Sequence, residues 1–493
     1  MLFTGGLLLL LYGYEIFNFS LSIDEEVFGD KNQWAWMVTG HGRWGTAVLT
    51  RVFPPIGNIP MISTILFCVG LGISAYVLAR IFFRQPAAQY AFAGMFVAYP
   101  VWPHLAEFSI SAWCIGVGCI LLTLCLLLFL AEHLLADILA AGLLAFATGI
   151  SETFFVWFLV LLCLRYLSVI LNTAPSDAVP TNTKIPWLRS LLITLAALLI
   201  YFSVQRLGFW FAPSRLHYVQ SFVRFDHFMA LPFLSIARTV SQSLRMLLGY
   251  HRIYLGYGPV VMFLPLVGFL IIAVQLLRRG KLETYQRVLA TLLLVAAFVL
   301  ALTPILVSAG AVPVRALIAL TPLIAFLAGI AFWKSLRLTK LMYLALGIAL
   351  FICIWINVSL FYTDNLARQR DQVLATRIMS RVDSVVPNPP AKRMPFVVVA
   401  ARPWADAGNF RKVEIFGDSY FDTGHEGGNP IRMAAYLRTL GVDTLEPVPI
   451  AKAAQHRAAI EAMPIWPAAG SVAMVEGMLV VKLGPLTSAW GPP

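Results

Sequence analysis

About eleven apolar runs, most of them near 20 residues long, fill the first three quarters of the chain and limit what it can fold into. A hydrocarbon core of about 30 Å takes about 20 helical residues to cross. Backbone inside that core must satisfy its own hydrogen bonds, which leaves helices or closed barrels. Barrel strands would read as short segments of alternating polarity, and these runs do not. They lie near 2–21, 61–83, 88–102, 111–131, 135–150, 154–172, 190–211, 258–277, 288–308, 314–333 and 341–362. Composition agrees: 59% of residues are hydrophobic and 12% charged, against about 25% charged in a soluble domain. The pattern predicts an α-helical polytopic membrane protein. Leu2–Phe19 has no basic n-region and no small-x-small site after it, which predicts a retained first helix.

Net charge is +12, and residues 1–362 carry +10 of it, 22 Lys/Arg against 12 Asp/Glu. That excess suits lipid headgroups rather than nucleic acid. The loops after the second, sixth, eighth and tenth runs hold eleven of these cations, from Arg80 and Arg84 to Arg337 and Lys340. The positive-inside rule makes those loops cytoplasmic. The N-terminus is then cytoplasmic, and residues 22–60, 212–257 and 363–493 lie outside. Loop 212–257 breaks the rule, with Arg215, Arg224, Arg238, Arg245 and Arg252 against the single acid Asp226. Within it, Leu231–Leu248 has the spacing of an amphipathic helix. Two uses fit: a helix lying on an anionic leaflet, or a docking surface in which Arg215, Arg245 and Arg252 hold phosphate or pyrophosphate. Arg315 falls near the outer end of a run, where a lone charge is costly. Phosphate binding and pairing with a buried carboxylate both answer that cost. The six cysteines all sit in apolar runs without metal or disulfide spacing, and read as small buried hydrophobes.

Ser22–Pro60 is unusual for a membrane loop. It carries Asp24, Glu25, Glu26 and Asp30 close together, followed by His41, Arg43 and Arg51. Sugar transfer on the outer face has no nucleotide sugar to draw on, so its donor must be a lipid-linked sugar phosphate or pyrophosphate. Such an enzyme needs cations for the leaving group and a carboxylate to take the acceptor's proton. Asp24 and Glu25 stand just past the first membrane exit, at the depth of a lipid phosphate, and are the candidate base. The competing reading is an acidic loop start that only aids solvation.

The pattern SIDEE, then GHGRWGTAVL and a Pro-containing helix start, resembles the integral-membrane glucosyltransferases of serotype conversion, the type II family of the GT-C superfamily. EFSISAW at 107–113, FYTDNLARQRDQVLATRI at 361–378, FGDSYF, NPIRMAAYLRTLG and MPIWPAAGSV follow in the same order. The resemblance implies a GT-C fold with its active site in the first outer loop. It implies an inverting, metal-independent transfer of glucose from undecaprenyl phosphate to an O-antigen or another cell-surface glycan, in a bacterial inner membrane. Carried over, Asp24 and Glu25 are the acidic pair, with Asp24 the first choice as base. Glu107 and Glu152 would hold acceptor hydroxyls, with His41 on the same side. Arg43 matches the GRW element and would hold phosphate or pair with the acids. Trp36 and Trp44 would stack on a sugar or anchor at the interface. A divalent ion on Asp24, Glu25 and Glu107 is the lesser alternative to no cofactor at all.

Residues 363–493 differ in kind, being polar and rich in Pro and Gly. PFVVVA at 395–400, KVEIF at 412–416 and GMLVVKL at 477–483 read as strands, and NPIRMAAYLRTLG at 429–441 as a helix. This predicts a small extracytoplasmic α/β domain after a membrane domain of residues 1–362. Asp418, Asp422, His425 and Glu426 read as a solvated turn or one rim of a cleft. The alternative function is a transporter or flippase of a lipid-linked or amphipathic substrate. A transporter would place ionisable residues at the midplane on broken helices and often repeat its halves. Here they gather at the outer boundary and the halves differ, which favours the enzyme.

Overall fold

A computed structural model describes residues 1–27, 41–53, 59–173, 187–211, 232–278, 282–310, 312–333, 339–387, 393–402, 413–422, 429–487 and 490. The protein is mostly helical. It divides into two compact units: Met1–Phe19 with Lys31–Val358, and Ser20–Asp30 with Ser359–Pro493.

The first unit is built of helices. Every apolar run carries one: α1 (Leu2–Phe17), α3 (Pro60–Phe82), α4 (Pro86–Ala98), α5 (Ser109–Leu130), α6 (Leu134–Ile150), α7 (Thr153–Ile170), α8 (Trp187–Phe211), α10 (Gly258–Leu277), α11 (Thr284–Ala301), α12 (Leu320–Trp333) and α13 (Thr339–Val385). Between them lie α2 (Trp44–Val52), α9 (Pro232–Leu247) and the single helical turns Pro103–Ala106 and Thr303–Val307. Seven are long and apolar enough to cross a membrane among the described residues, so helix length alone does not make eleven crossings. Pro103 and a turn end the third run early, and the tenth opens as a 3-10 turn, Val314–Leu317. Outward leucines such as Leu188, Leu192, Leu195 and Leu199 are exposed, as a lipid-facing surface requires.

The interior of this unit is aromatic. Phe96 stacks on Phe92 and on Trp157, and Trp102 meets Trp157 edge-on at 6.1 Å. Helices α3 and α5 approach closely because Gly70 faces Gly116, as small residues allow in membrane interfaces. A Cβ on Gly70 would overlap the Gly116 backbone. Gly70→Ala is therefore expected to destabilise the protein by about 1–3 kcal/mol, the usual cost of overpacking, read as an earlier thermal transition in detergent. Buried Arg165 is answered locally: its Nη1 donates to the Ile81 carbonyl oxygen at 3.1 Å, near the C-terminal end of α3.

Helix α9 is the predicted amphipathic segment. Ser235, Thr239 and Met246 are buried, while Phe233, Ile236, Val240 and Leu244 are exposed. An apolar stripe turned outward beside Arg238 and Arg245 is the arrangement of a helix lying in a membrane interface.

The second unit has a four-stranded sheet in the order β2-β1-β4-β3. Its strands are β1 (Met394–Val399), β2 (Leu445–Pro447), β3 (Val472–Val475) and β4 (Met478–Lys482). β1 runs parallel to β2 and β4, with Phe396 opposite Leu479, and β3 is antiparallel to β4. Both faces are buried. Phe396, Val398, Leu479 and Val481 join Leu374, Ile378 and Val382 of α13 and Met433 and Leu437 of α14 (Pro430–Thr439). Val397, Val399 and Val480 join Ile460 and Trp490 on the other side. Burial on both faces explains the unbroken valines of PFVVVA.

Two expectations are corrected, and two strands were not foreseen. The last apolar run does not end as a helix at residue 362: α13 continues to Val385. Its polar half keeps an apolar edge (Leu374, Ala375, Ile378, Val382) that packs on the sheet, so tertiary burial carries the helix on. KVEIF is not a strand over its described part: Val413 and Phe416 form an isolated bridge, and Glu414 has φ +56°, which breaks an extended run. Strands β2 and β3 lie where the sequence signal was too short to read.

Candidate functional site

Ser20–Val27 belongs to the second unit and is held there by packing and hydrogen bonds. Ile23 is buried in the core formed by α13, α14 and the sheet. Ser20 Oγ donates to Asp364 Oδ2 at 2.9 Å, and Tyr420 Oη donates to the Ser22 carbonyl at 2.7 Å. Its three carboxylates have different environments. Glu25 is buried, and its Oε2 accepts from the Ser22 backbone N–H at 2.9 Å. Glu26 is buried with its Oε1 2.8 Å from Arg432 Nη1. Burial pushes the Glu26 carboxyl up, and the guanidinium offsets only part of that. Asp24 keeps 47% of its side chain exposed, and its Oδ1 accepts from Arg432 Nη2 at 2.6 Å. Its φ of +84° lies in the left-handed region, which Asp tolerates better than most residues but which still costs of order 1 kcal/mol.

The framework beneath is a buried charge cluster. Arg368 Nη1 lies 3.1 Å from Asp371 Oδ2, Nη2 lies 3.8 Å from Asp364 Oδ1, and the guanidinium stands 4.4 Å from the Tyr420 ring centre. The FGDSYF segment completes it. Ser419 Oγ and the Tyr420 N–H donate to Asp371, the Gly417 N–H donates to Asp364, and Arg368 Nη2 donates to the Asp418 carbonyl. Tyr420 stacks on Tyr436 at 4.2 Å. This segment is a clamp between α13 and the acidic residues. His425 and Glu426 lie outside the described residues.

The first unit holds a separate polar cluster. Arg43 Nε is 3.9 Å from Glu152 Oε2, joining the start of α2 to the start of α7. Gly42 has φ +69°, and a Cβ there would come within 2.9 Å of Tyr201 Oη and Gln205 Nε2 on α8, which explains the glycine before Arg43. Desolvation raises the Glu152 carboxyl, with Arg43 opposing. His41 is buried, and its imidazole is driven down to about 3 by that burial and then by the charges of Arg43 and Arg315. It is therefore neutral at physiological pH. A histidine depressed in the fold contributes its full stability above about 6.5 and loses it as pH falls toward 3. His41→Gln should lose less stability than wild type between pH 6.5 and 4, measured by thermal melts across that range. Arg315 lies 5.3 Å from the ring centre of Phe108, the residue that follows buried Glu107 in the chain.

Other sequence candidates are placed differently. Trp44 is buried against Phe146 and Gly149, so its ring is engaged in helix packing. Arg245 and Arg252 are exposed near the end of α9, and neither makes an ion pair among the described residues. Trp36 and Arg215 lie outside the described residues. Sequence reading missed Tyr201 and Gln205, which sit inside an apolar run, and Arg432, 408 positions from its partner Asp24. Arg432 had one signal: a cation in the first turn of a helix opposes the helix dipole and calls for a partner. Among the described residues, no group of three or more His, Cys, Asp or Glu comes together as a metal site.

Comparison with curated proteins and with solved structures finds no match. The model of the family described as Glucosyl transferase GtrII matches residues 13–328, more than half of the chain and the span that includes both the acidic segment and the Arg43–Glu152 cluster, and the protein belongs to that family of type II glucosyltransferases.

Proposed function

We propose that this glucosyltransferase draws its sugar from a polyprenyl-phosphate donor, undecaprenyl-phosphate-glucose, and passes it to an O-antigen or other cell-surface glycan outside a bacterial inner membrane. The reaction is inverting and of the GT-C type. The N-terminus is cytoplasmic, and residues 363–493 are a periplasmic domain that follows the membrane-spanning helices in the chain. Asp24 takes the proton from an acceptor hydroxyl, the oxygen attacks the anomeric carbon, and the bond from that carbon to the phosphate oxygen breaks, releasing polyprenyl phosphate. The observation that carries this reading is the contrast among the three acids. Glu25 and Glu26 are buried and engaged, while half of the Asp24 side chain is exposed and its backbone is held in an uncommon conformation.

Arg43 and Arg315 are the donor-phosphate cations in this account, and Arg215, Arg245 and Arg252 assist at the membrane surface. His41, Glu107 and Glu152 serve the acceptor, and Trp36 stacks on a sugar face. No cofactor is required. Arg315→Ala tests the donor assignment: losing a charged phosphate contact should raise the donor KM by about 10- to 100-fold, measured in steady-state assays with lipid-linked donor. An unchanged donor KM would remove Arg315 from the phosphate site.

A further inference from the structure

We propose that Arg432 is a positioning residue for Asp24, so that chain beyond the family-matched span supplies part of the catalytic apparatus. This deepens the assignment of Asp24 as base and rests on it. One guanidinium meets two acids of the segment: Nη2 donates to Asp24 Oδ1 at 2.6 Å, and Nη1 stands 2.8 Å from Glu26 Oε1. A lysine ammonium could not span both in one plane.

The placement of Arg432 is itself costly. It occupies the first turn of α14, where the helix dipole disfavours a cation. Its backbone N–H donates to the side chain of the N-cap Asn429 at 3.1 Å, so the start of the helix is fixed. Pro430 opens that helix, and Met433, Tyr436 and Leu437 anchor it in the core. The arginine thus projects from a rigid base. Glu26 lies at the bottom of the pair with its side chain fully buried, and Asp24 lies at the open side. Glu26 balances the charge and steers one nitrogen, which leaves the other to hold a single oxygen of Asp24. This bond also holds Asp24 against its unfavourable φ. The remaining exposed part of Asp24 is oriented by these contacts for proton transfer, a geometric requirement stricter than charge alone. The pairing joins Asp24 to a residue 104 positions beyond the end of the family match.

The test uses full-length protein and glucosyl transfer from undecaprenyl-phosphate-glucose. Arg432→Gln should lower kcat by about 10- to 100-fold with the donor KM within about threefold of wild type. Arg432→Lys should recover part of kcat, and added guanidinium should raise kcat of Arg432→Ala. In an Asp24→Asn background, Arg432→Gln should change turnover no further. Wild-type kcat in a folded Arg432→Gln, or no gain from either lysine or guanidinium, would overturn the proposal. If Arg432→Gln fails to fold, Arg432→Lys decides alone: reduced kcat at unchanged KM supports positioning, and wild-type kcat rejects it. Wild-type turnover by Asp24→Asn would instead overturn the base assignment, an outcome separable from failure of Arg432 alone.

Discussion

Asp24→Asn is expected to lower turnover by about 1,000-fold, within the range that a general base contributes, while leaving the melting temperature nearly unchanged. The amide keeps the size of the carboxylate and can still accept from Arg432, so the segment stays anchored through Ile23, Ser20 and the Ser22 carbonyl. It has no basic oxygen for the acceptor's proton. The expected loss therefore falls on kcat rather than on donor binding. Glu25→Gln should behave differently, because Glu25 is buried and accepts from the Ser22 N–H. Its effect should be on stability first. A near-normal rate for Asp24→Asn, with a large loss for Glu25→Gln, would move the base by one residue.

Arg368→Met is expected to destabilise the second unit by about 3–5 kcal/mol, the cost of leaving buried charges uncompensated. Arg368 serves Asp364 and Asp371 together, and both are buried. Methionine fills much of the volume but leaves two carboxylates facing each other in a dry site. Their remaining donors are Ser20, Ser419 and the Gly417 and Tyr420 N–H groups, none of them charged. Adding Asp371→Asn to Arg368→Met should recover part of the loss by removing one of those charges, a coupling that a double-mutant cycle measures. The readouts are thermal unfolding and protease sensitivity of the full chain. Additive losses would mean that Arg368 acts through packing on Tyr420 rather than through the acids.

The helices of the first unit were legible because each is a continuous apolar run, although only seven reach the length of a crossing among the described residues. The amphipathic helix was legible from the spacing of Phe233, Ile236, Val240 and Leu244. The end of α13 was not, because its signal changes at residue 362 from a continuous apolar run to a sparse edge of Leu374, Ile378 and Val382. Hydropathy registers the first and only packing reveals the second. Asp24 stood out as one of a cluster of acids, but composition could not separate it from Glu25 and Glu26. The separation comes from Arg432, Tyr420 and Asp364, residues 340 to 408 positions away, and no local pattern encodes pairings of that length. The same holds for Gly42, whose need to be glycine is set by Tyr201 and Gln205 on another helix.

The most direct measurement is transfer of labelled glucose by the purified protein to a cell-surface polysaccharide, offered either undecaprenyl-phosphate-glucose or a nucleotide-linked glucose. The account predicts label transfer from the lipid donor only. Transfer from the nucleotide donor, or no transfer from the lipid donor with a range of glycan acceptors, would contradict it.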